Sequence, residues 1–300
     1  MSTRCAVVAL AGPPNAGKST LINRAVGAKV SIVTHKVQTT RTRVRGIALQ
    51  GDTQLVFVDT PGIFVSPKRR LERAMVAAAW DATEDADLVV VLHDARKPAD
   101  DEQVSLVLEG LAKRKCKRVV LAINKVDDVR RESLLALAQN LNAAYPFERV
   151  FMISALTGDG VEDLLAWLAA QAPEGPWLYP EDEISDLPQR LLAAEITREK
   201  LFLHLHDELP YSLTVETEAW ESFRDGSVKI TQTIYVQREA HKRMAIGAKG
   251  ATVRKIRGLA QKELEEMLET RVHLFLFVKV RERWVEDPER YRDWGLDYRS

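Results

Sequence analysis

The chain has 300 residues, enough for two domains with real cores, and its 43 basic residues balance 43 acidic ones. That neutrality excludes a uniform polycation or polyanion, but it hides local imbalance and leaves a nucleic-acid partner open. Two cysteines, Cys5 and Cys116, argue against a disulfide framework, and no apolar run is long enough to span a bilayer as a helix, so a soluble intracellular protein is expected.

The apolar run at residues 5–10 follows one arginine and superficially looks like a signal peptide. It leads directly into Gly12-Pro13-Pro14-Asn15-Ala16-Gly17-Lys18-Ser19, so it reads as a first strand. The eight residues fit G-x-x-x-x-G-K-[ST], a loop whose backbone N–H groups cradle a polyphosphate. A helix is expected from about Ser19 to Val26, with its positive end toward the same anion. Residues 29–45 form a polar run without periodicity, the kind of long loop that is often functional. Residues 44–49 and 54–58 read as a hairpin around Gly51-Asp52, delivering Asp59-Thr60-Pro61-Gly62 at its end. Residues 66–83 have helical spacing, with Leu71, Met75, Ala78 and Ala79 on one face. Strands at 87–94, 118–124 and 149–153 then alternate with helices at 102–113, 132–145 and 161–170. Their near-continuous hydrophobicity marks strands buried on both faces. The pattern predicts a mostly parallel, doubly wound α/β sheet over residues 1–172.

Residues 173–188 hold four prolines and five acids without a basic residue, and read as an extended acidic linker. Beyond it the order changes. An amphipathic helix at 189–206 is followed by strands at 211–221 and 228–236 and a short helix from about Arg238. A glycine loop, a helix at 251–269 and an alternating strand at 272–280 complete the second domain, 189–300. Its polar, aromatic tail from Trp284 onward carries no functional pattern.

The chemistry of the first half accumulates along the chain. Asn15, Ala16 and Gly17 would line the phosphates, Lys18 would reach the β/γ oxygens, and Ser19 would take a place on Mg²⁺. Asp59 fits a carboxylate that holds Mg²⁺ through water, and Gly62 would offer an N–H to the γ-phosphate. Thr39 or Thr40 would complete the metal shell, with Thr40 preferred. Asn124-Lys125-Val126-Asp127 names the base: a carboxylate at Asp127 accepts from both the ring N–H and the exocyclic amine of guanine, a pair adenine does not offer. Lys125 would cover the base, Asn124 would tie this loop to the phosphate loop, and Ser154-Ala155 would supply the Ala155 N–H to the guanine carbonyl.

This set, in order and spacing, resembles the translation-factor-like branch of small GTP-binding proteins. The Gln-Thr-Thr-Arg and Asp-Thr-Pro-Gly-Ile wording narrows the resemblance to the Era-like GTPases. It implies a P-loop GTPase that binds GTP and GDP with Mg²⁺ and switches through Thr39, Thr40 and Ile63. Ile63 stands where Ras-like enzymes keep a water-orienting glutamine, so slow intrinsic hydrolysis is expected. Asn15 matches the asparagine of relatives that recruit K⁺, which makes it a candidate K⁺ ligand.

In the second half, Gly247-Ala248-Lys249-Gly250 joins two helical segments. A lone G-x-x-G is usually only a helix-breaking turn, but residues 238–257 carry seven basic residues against one acid. A cationic glycine loop suits close approach of a nucleic-acid backbone. Lys242, Arg243, Ile246, Gly247, Ala248, Lys249, Gly250, Arg254 and Lys255 are the expected RNA contacts, with Val253 and Ile256 as an apolar floor for unpaired bases. The order of elements resembles an α+β type II KH domain. Both halves together resemble the ribosome-associated members of the Era-like family. That resemblance implies binding to the single-stranded 3′ end of 16S ribosomal RNA, assistance to small-subunit assembly, and a cytoplasmic monomer with peripheral association at the inner face of the membrane. Two other readings fit parts of the sequence: a nucleotide-occupied RNA-binding scaffold with negligible catalysis, and a GTPase for tRNA modification, which the KH half disfavours.

Overall fold

The computed structural model describes residues 3–36, 39–64, 67, 69–116 and 118–299. The expected helix start at Ser66, and Val37, Gln38 and Lys117, lie outside these residues. Contacts divide the chain into two units, Met1–Val33 with Thr40–Asp186 and Tyr291–Ser300, and Thr34–Thr39 with Leu187–Arg290.

The first unit is built on a six-stranded sheet in the order β2-β3-β1-β4-β5-β6. Its strands are β1 (Arg4–Ala11), β2 (Val44–Gln50), β3 (Thr53–Asp59), β4 (Leu88–Asp94), β5 (Val119–Asn124) and β6 (Val150–Ile153). β2 runs antiparallel to β3 and the remaining pairs are parallel. Strand alternation sorts the core into two layers. Ala6, Val8 and Leu10 of β1 pack in a cluster with Leu21 and Ile22 of helix α1 (Lys18–Val26) and Leu164 and Leu168 of α5 (Val161–Gln171). Ala9 and Ala11 face the other way, toward Ala79 of α2 (Arg70–Glu84), Val107 of α3 (Glu102–Arg114) and Leu141 of α4 (Arg131–Ala144). Because β1 sits between β3 and β4, the chain reverses its direction of winding there. The carboxyl end of β1 therefore opens into the crevice where such sheets bind ligands.

Two stretches differ from the sequence expectation. Residues 173–186 are not a free linker but a strap on the first unit. The buried Gln54 side chain donates to the Tyr179 carbonyl (2.9 Å) and accepts from the Leu178 and Tyr179 N–H groups (2.9 and 3.0 Å), and Ile47 N–H donates to the Ile184 carbonyl (3.0 Å). An edge strand and a buried amide offer partners that proline and acid content alone cannot announce. The tail is likewise packed: Trp284, Tyr291, Trp294 and Leu296 are buried, and a short helix α9 (Pro288–Asp293) forms within it.

The second unit has a three-stranded sheet, β7 (Leu213–Ser222), β8 (Val228–Val236) and β9 (Val272–Val280), in that order, with β7 and β8 antiparallel and β8 and β9 parallel. One face is covered by α6 (Gln189–His204) and α8 (Ala251–Leu268), the latter burying Ile256, Ala260 and Leu264 at intervals of a helical turn. α7 (Glu239–Ile246) precedes the glycine loop.

Candidate nucleotide site and nucleic-acid interface

The phosphate loop is a strained turn held from within. Gly17, with φ of 102°, caps α1 in the left-handed region, and no side chain caps the helix N-terminus. A Cβ on Gly17 would lie 2.1 Å from the Asn124 amide nitrogen, so only glycine lets these two loops touch. Asn124, at the end of β5, donates to the Ala16 carbonyl (2.8 Å). The uncapped first turn leaves backbone donors for an anion. Lys18 is 6% exposed, and its ammonium donates to the carbonyls of Gly12 (3.0 Å) and Pro13 (2.9 Å). Burial lowers its pKa to about 8, against the opposing pull of Asp59.

At the end of β3, Asp59 is fully buried. Its Oδ2 accepts from Ser19 Oγ (2.8 Å) and Ser31 Oγ (2.7 Å), while its buried Oδ1 has no hydrogen-bond partner among the described residues. Desolvation raises the Asp59 pKa, and the Ser31 and Ser19 hydroxyls, Lys18 and Thr40 pull it back. Thr40 Oγ1 lies 3.0 Å from Ser19 Oγ, whereas Thr39 spends its hydroxyl on Lys36 O (2.7 Å) and Thr34 Oγ1 (2.5 Å). Of the two threonines, Thr40 is thus the one beside Ser19 and Asp59. An unsatisfied buried carboxylate oxygen beside two hydroxyls fits a hard divalent cation. Gly62 follows in the chain, and the next residue, Ile63, donates its N–H to the Gly12 carbonyl (3.2 Å) while its side chain is fully buried in the core.

The base loop is braced by residues that sequence reading missed. Lys125, at a φ of 67°, donates to the Asn15 carbonyl (2.5 Å) and to Asp94 Oδ2 (2.7 Å). Asp94 also accepts two hydrogen bonds from the Arg96 guanidinium (2.9 and 2.7 Å) and one from the Arg96 backbone N–H (3.1 Å), and the guanidinium reaches Asp128 (3.3 Å). Burial works to raise the Asp94 pKa, but the Arg96 and Lys125 bonds outweigh it and hold the carboxyl well below its usual range. The signal was available: Asp94 is a carboxylate at the carboxyl end of a buried parallel strand, next to the phosphate-loop strand. Asp127 is exposed in the single turn Val126–Asp128. The Ala155 N–H, the expected donor to guanine, donates to Asn124 Oδ1 (2.9 Å), which joins the loop after β6 to the base loop. Ser154 is buried, and its Oγ accepts from the Thr157 N–H (3.1 Å).

In the second unit, α7 ends at Gly247 (φ 74°), Lys249 (φ 49°) and Gly250 (φ 76°) follow in the left-handed half of backbone space, and α8 begins. Arg243, Ala248, Lys249, Arg254 and Lys255 are exposed, and Lys242, Ile246, Gly247 and Gly250 are half-buried. Arg254 braces the loop by donating to the Lys249 carbonyl (2.9 Å). Ile256 is fully buried with Leu201 and Leu213, so it belongs to the core and not to a floor for bases; Val253 packs partly buried against that cluster.

Comparison with known proteins agrees with this division. A family model described as 50S ribosome-binding GTPase matches residues 7–125, and a KH-domain model matches residues 208–285. GTPase Era of Dinoroseobacter shibae is 60% identical over 300 residues, covering 99% of this chain and 97% of its own. GTPase Era of Rhizobium meliloti is 60% identical over 296 residues, covering 99% and 94%. A crystal structure of Era in complex with MgGDPNP and nucleotides 1506–1542 of 16S ribosomal RNA matches with a TM-score of 0.91 at 36% identity, over 98% of this chain and 99% of that one. An Aquifex aeolicus Era variant bound to GDP and aluminium fluoride matches with the same figures.

Proposed function

The chain belongs to the Era family of GTPases, and from that premise we propose that it works as a GTP-controlled switch whose KH domain holds the single-stranded 3′ region of 16S ribosomal RNA during assembly of the small ribosomal subunit. GTP hydrolysis and a KH module are properties of the family. The observation that carries the reading is the Asn124 bridge. It ties the base loop to the phosphate loop, so that one nucleotide spans both.

In this reading Asn15, Ala16, Gly17 and Gly62 meet the phosphates, Asn124, Lys125 and Asp127 select guanine, and Ser154-Ala155 complete the base site, with the Ala155 N–H turning to the guanine carbonyl. Ser19 and Thr40 would hold Mg²⁺ directly and Asp59 would hold it through water. The cation, when bound, neutralises charge on the phosphate oxygens. Lys18 gives up carbonyl partners for phosphate oxygens. Ile63, withdrawn into the core, leaves water positioning to another group, so intrinsic turnover is slow. Asn15 as a K⁺ ligand would supply part of that help. GTPase rates equal in K⁺ and Na⁺, with and without RNA, would reject this role.

The exposed cations Arg243, Lys249, Arg254 and Lys255, with Lys242, Ile246, Gly247, Ala248 and Gly250, make up the proposed RNA contact. A cytoplasmic monomer that associates peripherally with the inner face of the membrane completes the reading, and sedimentation and vesicle flotation test those two points. No helix among the described residues is long and apolar enough to cross a membrane. The decisive experiment is crosslinking of the protein to total RNA in GTP and in GDP, followed by mapping of the sites. Nucleotide-dependent crosslinks at the 3′ end of 16S ribosomal RNA are expected, and crosslinks concentrated on tRNA would overturn the proposal.

A further inference from the structure

A carboxylate that holds a hydrated cation has to be kept from rotating, and the groups that fix it matter nearly as much as the ligand itself. Three hydroxyls surround Asp59: Ser19, Thr40 and Ser31. Ser19 and Thr40 are the ones expected to turn to Mg²⁺. Ser31 is left, buried and donating to Asp59 Oδ2 at 2.7 Å, on the oxygen opposite the unpartnered Oδ1.

Ser31 is itself fixed from α1. The Val30 and Ser31 N–H groups both donate to Asn23 Oδ1 (2.9 Å each), and Asn23 Nδ2 donates to the Ser31 carbonyl (2.7 Å). The Asn23 amide thus replaces the pairing that a strand neighbour would give residues 30–31. A continuous chain of hydrogen bonds runs from α1 through Asn23 and Ser31 to the Asp59 carboxylate.

We infer that Ser31 is a positioning residue for the Mg²⁺ carboxylate. It holds Asp59 Oδ2 so that Oδ1 is presented toward the cation's hydration shell, with Asn23 setting the place of Ser31. The inference rests on reading Asp59 as the Mg²⁺ carboxylate. It assigns Ser31 no contact with nucleotide or metal. Its effect is confined to how much Mg²⁺ the site needs.

The test is release of a fluorescent N-methylanthraniloyl-GDP from the full chain, followed as MgCl₂ is titrated and again in EDTA. Ser31→Ala should raise the Mg²⁺ concentration for half-maximal retention about tenfold, while release in EDTA changes by less than about twofold. Ser31→Thr, which keeps the hydroxyl, should return the midpoint to within about threefold of the parent. An unchanged midpoint in Ser31→Ala overturns the inference. So does an equal acceleration with and without Mg²⁺ that threonine does not rescue, since that is the signature of lost packing. A parent protein whose GDP release ignores Mg²⁺ altogether overturns the reading of Asp59 itself, and the inference with it.

Discussion

The two glycine loops share a vocabulary and differ in construction. Gly12 to Ser19 is clamped from inside, with Lys18 buried on its carbonyls, Asn124 pressed against Gly17, and Lys125 fastened to Asn15. The second loop, Gly247 to Gly250, is tight at its start, where a Cβ on Gly247 would lie 2.1 Å from Thr252 Oγ1. Beyond that it is open: Lys249 and its neighbouring cations are exposed, and a Cβ on Gly250 would meet nothing within 4 Å. The first loop is shaped before its ligand arrives, which suits a single small polyanion. The second offers charge and a close backbone approach, which suits a flexible polymer that supplies its own fit. Substitutions should therefore act through geometry in the first loop and through charge at the open Lys249–Gly250 end of the second.

The largest contrast comes from alanine at the two glycines. Gly17→Ala places a methyl group in the Asn124 amide at a backbone angle hostile to alanine, so GDP affinity should fall by about 1,000-fold or more. Gly250→Ala meets only backbone strain, about 1–2 kcal/mol, and should weaken RNA by less than about tenfold. Equilibrium titration of labelled GDP and labelled RNA measures both, and comparable losses at the two sites would break the comparison. Next in size, Asp127→Asn should cost GTP about 100-fold in affinity and favour xanthine nucleotides, because an amide donates where the carboxylate accepts. Unchanged GTP affinity would remove the base assignment. Lys249→Glu should weaken RNA about tenfold, shrink the salt dependence of binding, and leave GTP untouched. Equal RNA affinity at matched salt would count against the glycine loop as the contact.

The same contrast explains what could be read in advance. Strands β1, β3, β4 and β5 are almost wholly buried, so their composition betrays them, and the motif residues sit at their carboxyl ends. The phosphate and base loops were legible because their residue types have few other uses at that spacing. The strap at 173–186 was not, since proline and acid content says extended but not against what. Its anchor, Gln54, lies over a hundred residues away. Asp94, Ser31 and Asn23 were also missed. Ser31 bonds Asp59 and Asn23 bonds Ser31, contacts that no periodicity or spacing marks, while the only mark on Asp94 is its place at the carboxyl end of a strand. In the tail, the buried Trp284, Tyr291 and Trp294 have helical spacing, but Pro288 between them interrupts any continuous helix and hides the pattern.

The smallest expected effect probes the clamp on the first loop without altering a residue. Lys18 is held near a pKa of about 8 by burial while its partners are carbonyls. Its charged form is therefore disfavoured in the nucleotide-free fold, and between about pH 8 and the ordinary lysine value the unfolded chain binds more protons than the folded one. The stability of the nucleotide-free protein should gain from this group as pH rises through that window. Phosphates reverse the balance by stabilising the ammonium, so nucleotide binding has to draw in a proton there. GDP affinity should accordingly fall severalfold between pH 7 and pH 9, by up to about tenfold per unit at the top of the range. Calorimetry at pH 8.5 in two buffers of different ionisation enthalpy reads the proton directly. Buffer-independent heats would mean that Lys18 is already charged before the nucleotide arrives, and that its carbonyl partners hold a cation at no cost. Proton uptake on nucleotide binding would mark the first loop as a preformed cradle whose buried lysine is charged by its ligand.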